Sequence, residues 1–207
     1  MTTSQGRRAV IFDMDGVLCR YDLRIRLEAL GRLSGRSPEE VERLIWGSGF
    51  EEDADSGRYT SGAAYLKAFG ERLGHPIGPA DWIAARRASM TPNPEVLELV
   101  AALRPTATVA LLSNNGPLTE ETFAELFPEA ATLFGPASFF SWSFGIKKPS
   151  PEIYRRTASR LGVAPAKAVF IDDKAHNVAG AASAGLTAVR FSTARQLMKD
   201  LAAAQVL

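Results

Sequence analysis

Short apolar runs, each closing on small polar or acidic residues, set the rhythm of this chain. They fall at about 9–12, 108–112, 139–143, 168–171 and 188–191. Runs this short, bounded by turn-forming residues, predict buried strands. Between the last four, apolar residues return at helical spacing. Residues 93–103 put Val96, Leu97, Val100 and Leu103 on one face, and 119–126 follow Pro117. Residues 151–161 stop at Gly162, 177–184 stop at Gly185, and 193–203 form the last such segment. A glycine just past a helix accepts the left-handed backbone that ends it. Strands alternating with helices of this length predict βαβ units and a parallel sheet, an α/β fold.

The first gap breaks the rhythm. More than ninety residues separate Asp15 from the second strand, and no convincing strand lies between them. Helical patterns occupy 23–33, 38–46, 61–73 and 80–90. Ser37 before Pro38-Glu39-Glu40 reads as a helix start, with serine as cap and proline at the first helical position. A stretch this long is no simple loop. It predicts an all-helical cap of residues 17–90 over the C-terminal edge of the sheet, with a core made of 1–16 and 91–207. Thr91-Pro-Asn-Pro94 would be its return hinge, because proline restricts itself and its predecessor. There is no internal repeat and no low-complexity tract.

Composition narrows the picture modestly. At 207 residues and 46% hydrophobic, the chain can bury one sizeable core and a small accessory domain. Lys and Arg number 24 against 23 acids, a net charge of +1 that argues for neither a nucleic-acid nor a membrane partner. Cys19 is the only cysteine, so no intrachain disulfide forms, which fits a reducing compartment. The apolar stretch before Asp13 is too short for a secretory signal, and no run approaches a membrane span. The expectation is cytoplasmic. The pattern carries no reading of oligomeric state.

The chemistry collects where the apolar runs end. The first runs into Asp13 and Asp15, then Gly16; the second into Ser113-Asn114-Asn115-Gly116; the fourth into Asp172-Asp173, with Asn177 beyond. Lys147-Lys148-Pro149 follows the third. Open α/β sheets bind ligands outside the C-terminal ends of their strands. If the first strand continues, alternation sends Asp13 and Asp15 to one side. Acids from the first and fourth strand ends could share one hard cation, and Mg2+ favours oxygen ligands and substrate phosphate. Asp13 could then attack phosphorus, with the cation and Lys148 keeping it ionised. Asp15 would give a proton to the leaving oxygen and take one from water.

These elements resemble the haloacid dehalogenase superfamily of phosphohydrolases. The matching pieces are Asp13-Met-Asp15-Gly-Val, Leu112-Ser113-Asn114, Lys148-Pro149-Ser-Pro151-Glu-Ile-Tyr154, and Phe170-Ile-Asp172-Asp173 with Asn177. Each piece alone is common; the ordered set is specific. The resemblance spans roughly 7–16 and 91–191. It implies a Rossmann-like parallel sheet of order 3-2-1-4-5, and the early insertion is similar to the helical-cap (C1) subgroup. It further implies a Mg2+-dependent phosphatase acting on a small phosphate ester, with Asp13 as nucleophile and Asp15 as acid/base and as backbone-carbonyl metal ligand. Ser113, Asn114 and Lys148 would hold phosphate. Asp13 and Asp173 would bind the metal directly and Asp172 through water, though the last two could exchange roles.

Each residue also has a plainer reading. Asp-x-Asp after a strand is commonly a turn, Ser-Asn-Asn-Gly a loop, and Asp-Asp a helix start. His75, His176, Cys19, Trp46, Trp82 and Phe69 read as structural, and Trp142 as part of the sheet. The polar stretch 49–59 reads as a cap loop, with Asp53, Asp55 and Arg58 as candidates for substrate specificity. Spacing there is similar to sugar-1-phosphate phosphatases and to the phosphatase domain of soluble epoxide hydrolases, which suggests hexose phosphates. Alternatives are a phosphosugar mutase on the same core, a dehalogenase, or a non-catalytic relative. Dehalogenases of this superfamily lack an aspartate where Asp15 stands.

Overall fold

The structure, a computed structural model, describes residues 8–206. The reading that the first seven residues carry no leader lies outside them. The central strand β1 (Ala9–Phe12) is followed along the chain by three-residue β2 (Cys19–Tyr21) and, much later, β3 (Met90–Pro92). Then come β4 (Thr108–Ser113), β5 (Ser138–Phe140), β6 (Ala168–Asp172) and β7 (Thr187–Arg190). Five of these form one parallel sheet in the order β5-β4-β1-β6-β7, the order expected. Every residue of β1 and β6 is buried, as strands covered on both faces must be.

Alternation along β1 sorts its side chains. Val10 and Phe12 enter a cluster with Val100 and Leu103 of α6 (Pro94–Leu103), Phe134 of α9 (Pro128–Phe134) and Leu201 of α12 (Ala194–Ala203). Ala9 and Ile11 face the other way, toward Ile153 and Tyr154 of α10 (Pro151–Arg160) and Ala181 of α11 (Ala175–Ser183). The result is three layers.

Between β2 and β3 lie α1 (Leu23–Ser34), α2 (Pro38–Ile45), α3 (Phe50–Asp55), α4 (Gly62–Leu73) and α5 (Pro79–Ala88). Ser37 and Glu40 close the N-terminus of α2 reciprocally, each side chain taking the other's backbone N–H. Leu30, Ile45, Phe50, Phe69 and Trp82 bury a cluster of their own. Leu118 of α7 (Pro117–Glu121) and Leu126 of α8 (Phe123–Leu126) join it, so the insertion leans on the β4–β5 side. No helix among the described residues is long and apolar enough to cross a membrane.

Several expectations need correction. Strands β2 and β3 pair antiparallel, Tyr21 opposite Met90, and form a stem where only a hinge was expected. The stretch 49–59 contains the helix α3 rather than an open loop. The expected helix over 119–126 breaks at Thr122, whose hydroxyl donates to the Leu118 carbonyl. The third sheet strand stops at Phe140, because residues Ser141–Phe144 coil into a 3-10 turn ended by Gly145. Trp142 therefore leaves the sheet and donates its indole N–H to Glu120 at 2.5 Å.

Candidate active site

Parallel register brings three strand ends together. Phe12 pairs with Leu111 and Ile171, so Asp13 and Asp172 emerge level at the C-terminal edge, with Ser113 one residue further along β4. Lys148, 2% exposed, reaches between two of them. Its Nζ lies 2.7 Å from Asp13 Oδ1 and 2.8 Å from Asp172 Oδ2. Burial pushes the Asp13 carboxyl up to about 7; Lys148 opposes the rise and the charge of Asp172 adds to it. Burial also works against the charge of Asp172. There the Lys148 ammonium, its hydrogen bond and the Lys174 N–H win, and hold that carboxyl below its usual range.

The two neighbouring acids differ in what they have left to offer. Asp172 Oδ2 accepts from Lys148 and from Asn177 Nδ2, while Oδ1 accepts from the Lys174 N–H at 2.8 Å. Asp173 Oδ1 is buried with no hydrogen-bond partner. One oxygen each of Asp13, Asp172 and Asp173 lies within 4.8 Å of the others. Gly16, at φ +90°, makes this possible, since a Cβ there would stand 2.6 Å from the Asp173 carboxyl. Clustered carboxylate oxygens with one orphaned atom are the donor set a hard cation such as Mg2+ takes. The residues fit that ion.

The lysine is aimed by its backbone. Asn114 Nδ2 donates to the Lys148 carbonyl and Asn114 Oδ1 accepts from the Lys148 N–H, both at 2.9 Å. The Asn114 side-chain amide is thus engaged at both ends in ordering Lys148. The Lys148-Pro149 peptide bond is cis. Helix α11 passes so close that a Cβ on Gly180 would lie 2.1 Å from the Pro149 carbonyl oxygen. Gly180→Ala should therefore displace the lysine loop. The expected cost is ~1–3 kcal/mol, which differential scanning calorimetry would register as a melting point lower by several degrees.

Asp13, Asp15, Ser113, Asn114, Lys148, Lys174 and Asn177 line a small cavity of about 40 Å3. Ser113 Oγ accepts from Asn115 Nδ2 at 2.8 Å, which leaves its own hydrogen to donate. Asp15 shares this cavity, although the strand has ended before it. Its carboxylate is held by a residue the sequence reading missed. Arg86 Nη2, from α5, lies 2.6 Å from Asp15 Oδ2. Arg86 is 2% exposed, and its guanidinium sits 4.3 Å from the centre of the Tyr21 ring. Burial disfavours its charge, and Asp15 more than offsets that. Cys19 Sγ approaches Asp15 Oδ1 at 3.6 Å, and burial raises its thiol pKa, so it is an inert neighbour.

A larger cavity of about 560 Å3 adjoins the small one through Asp15 and Lys174. Val17, Tyr21, Pro92, Pro94 and Phe191 give it apolar walls, and Arg20 adds a charge. Of the three residues suggested for specificity, Asp53 and Arg58 pair with each other at 2.5 Å on exposed surface and line neither cavity. Asp55 lies nearer: its carbonyl accepts from Ser141 Oγ at 2.6 Å. Burial, then Glu51, pushes its carboxyl up to about 8, with the charges of Arg86 and Asp15 also felt there.

Arg86 gave no sequence signal of its own. In Trp82-Ile-Ala-Ala-Arg86-Arg87 two adjacent arginines look like a solvated helix face. The clue was position, since the last turn before the chain re-enters the core must pass beside the site.

Known proteins agree with this geometry. The profile of the haloacid dehalogenase-like hydrolases matches residues 7–185. The chain is 30% identical over 191 residues to phosphatase MT3486 of Mycobacterium tuberculosis, covering 87% of this chain and 85% of that one. Its fold is similar to that of a family enzyme from Bacteroides thetaiotaomicron solved with magnesium and inorganic phosphate. That likeness has a TM-score of 0.75 at 22% identity, over 90% and 95% of the two chains. It is also similar in fold to L-2-haloacid dehalogenase of Xanthobacter autotrophicus, with a TM-score of 0.63 at 23% identity, over 97% and 84%. With a profile match across most of its length and four motif segments meeting at one sheet edge, the chain belongs to the haloacid dehalogenase-like hydrolases.

Proposed function

We propose that this protein is a Mg2+-dependent phosphatase that hydrolyses a small phosphate monoester through a phosphorylated Asp13. The buried trio Asp13–Lys148–Asp172, with the orphaned oxygen of Asp173 beside it, carries the proposal. Asp13 attacks phosphorus, and the bond to the alcohol oxygen breaks as Asp15 gives that oxygen a proton. Water then attacks the phosphoryl group, returns a proton to Asp15, and frees Asp13 and phosphate. Lys148 and the Ser113 hydroxyl stabilise the transferring oxygens, where positioning and electrostatics do most of the catalysis. Asp13, Asp173 and the Asp15 carbonyl would hold the metal, with Asp172 acting through water. When bound, Mg2+ neutralises phosphoryl charge and favours ionised Asp13.

The phosphatase relative supports this reading over dehalogenation, as does the presence of Asp15. Helices α1–α5 act as a cap that excludes bulk water. The alcohol portion of the ester occupies the larger cavity. Its aromatic and proline walls favour an alcohol with an apolar face, a different emphasis from the hexose phosphates suggested by cap spacing.

Chelation tests the proposal. Protein freed of divalent ions should release phosphate from p-nitrophenyl phosphate at least ~100-fold more slowly, since such a metal supplies several kcal/mol to the transition state. Added Mg2+ should restore the rate and raise the melting point, because a ligand of the native state stabilises it. Full activity in chelator would end the metal reading. Hexose 1-phosphate converted to hexose 6-phosphate instead of free phosphate would turn the assignment to a mutase.

A further inference from the structure

Asp15 is only partly buried, and nothing on its own segment fixes its outer oxygen. The group that does so comes from 71 residues away, in the insertion. Arg86 is anchored on three sides. Its Nη2 binds Asp15 Oδ2, its guanidinium lies over the Tyr21 ring, and its carbonyl accepts from Ser89 Oγ at 2.6 Å. Ser89 in turn accepts the Asp22 N–H through its carbonyl at 2.8 Å, which ties the end of α5 to the segment following β2. Arg86 Nε is buried and unpartnered, so the guanidinium is committed to Asp15 rather than shared among several acceptors. A guanidinium held this rigidly fixes the direction of the carboxylate it grips.

We infer that Arg86 is the positioning residue for Asp15, holding Oδ2 so that Oδ1, approached at 3.6 Å by the Cys19 thiol, is the oxygen left to serve the ester oxygen that must be protonated. The inference rests on the phosphatase reading and adds a residue outside the sheet-edge motifs. Arg86 lines neither the small nor the larger cavity, so it acts through Asp15. It also ties proton transfer to the seat of α5, since the arginine belongs to that helix.

Leaving-group dependence separates this role from a merely structural one. The ratio kcat/KM reports the steps up to release of the alcohol. Nitrophenolate departs without a proton, whereas a primary alkoxide needs one. For Arg86→Gln, kcat/KM toward a primary alkyl phosphate should fall ~100-fold, a typical share for a positioned general acid, and toward p-nitrophenyl phosphate less than about threefold. A burst of nitrophenol should appear, because water attack on the phosphorylated enzyme also uses Asp15 and becomes slow. Arg86→Lys should recover part of the alkyl activity. In an Asp15→Asn background, Arg86→Gln should add no further selective loss.

Equal losses on both esters, no loss on either, or full additivity with Asp15→Asn would overturn the inference while leaving the phosphatase intact. If Arg86→Gln does not fold, Arg86→Lys alone decides by the same ratio: a selective alkyl loss supports the inference and a uniform one overturns it. A parent protein inactive on both esters with Mg2+ present would remove the phosphatase reading and the inference together.

Discussion

Asp13→Asn should abolish phosphate release, by about 10^4-fold or more, while leaving the protein folded. An amide matches the carboxylate in size and can still accept from Lys148 and from the Met14 N–H, which lie at 2.7 Å from Oδ1. It cannot attack phosphorus. The stability effect has a definite sign. Burial raises the Asp13 carboxyl in the folded protein to about 7, far above its value in an unfolded chain near 4. Its contribution to stability is therefore intact below about pH 4 and lost as the pH climbs through 7. The neutral asparagine avoids that loss. In the absence of divalent ions the variant should melt above the parent at pH 8 and level with it at pH 4. Magnesium should narrow the difference by stabilising the parent's ionised carboxylate. Phosphate release within tenfold of the parent would remove Asp13 as nucleophile.

The sheet was legible because its physics is one-dimensional. A strand buried on both faces must be apolar throughout, and β1 and β6 announce themselves as Ala-Val-Ile-Phe and Ala-Val-Phe-Ile. The polar residues that follow each run then mark the edge where chemistry gathers. Elements of three residues carry no periodicity, which is why the β2–β3 stem could not be read. Nor could α3, whose acidic Glu51, Glu52 and Asp53 look like loop residues until Phe50 and Ala54 are seen to pack inward.

Among the site residues, neighbours within one motif were the least legible. The pair Asp172-Asp173 is symmetric as text. In space, one is saturated by Lys148, Asn177 and the Lys174 N–H, and the other keeps a bare oxygen. Asn114 reads from sequence as a phosphate-holding residue at a strand end, and nothing local announces that its side-chain amide also orders a backbone 34 residues away. Arg86 depends on a contact across 71 residues and on the fold of the whole insertion. Local pattern records which elements form. It does not record which distant side chain an element will carry to its partner.

Replacing Lys148 should produce the largest loss of stability. Its side chain is 1% exposed, and its ammonium is the cation that both Asp13 and Asp172 contact. Removing one member of a buried ionic group leaves its partners uncompensated, at a cost of ~3–5 kcal/mol. For Lys148→Met the cost should depend on pH. Lys148 lowers the Asp13 carboxyl in the parent, so without it both acids ionise only in more alkaline solution, where two like charges face each other in an apolar setting. Below that range Asp13 takes up a proton first, since burial raises it, and only Asp172 remains charged. Urea denaturation without divalent ions should thus find the variant much less stable than the parent at pH 8 and closer to it at pH 5. Excess Mg2+ at pH 8 should recover part of the stability by supplying the missing positive charge, without restoring turnover, because the methionine offers nothing to the phosphoryl oxygens. A variant as stable as the parent at pH 8 would mean that the lysine does not balance these carboxylates, and the electrostatic account of the site would fall with it.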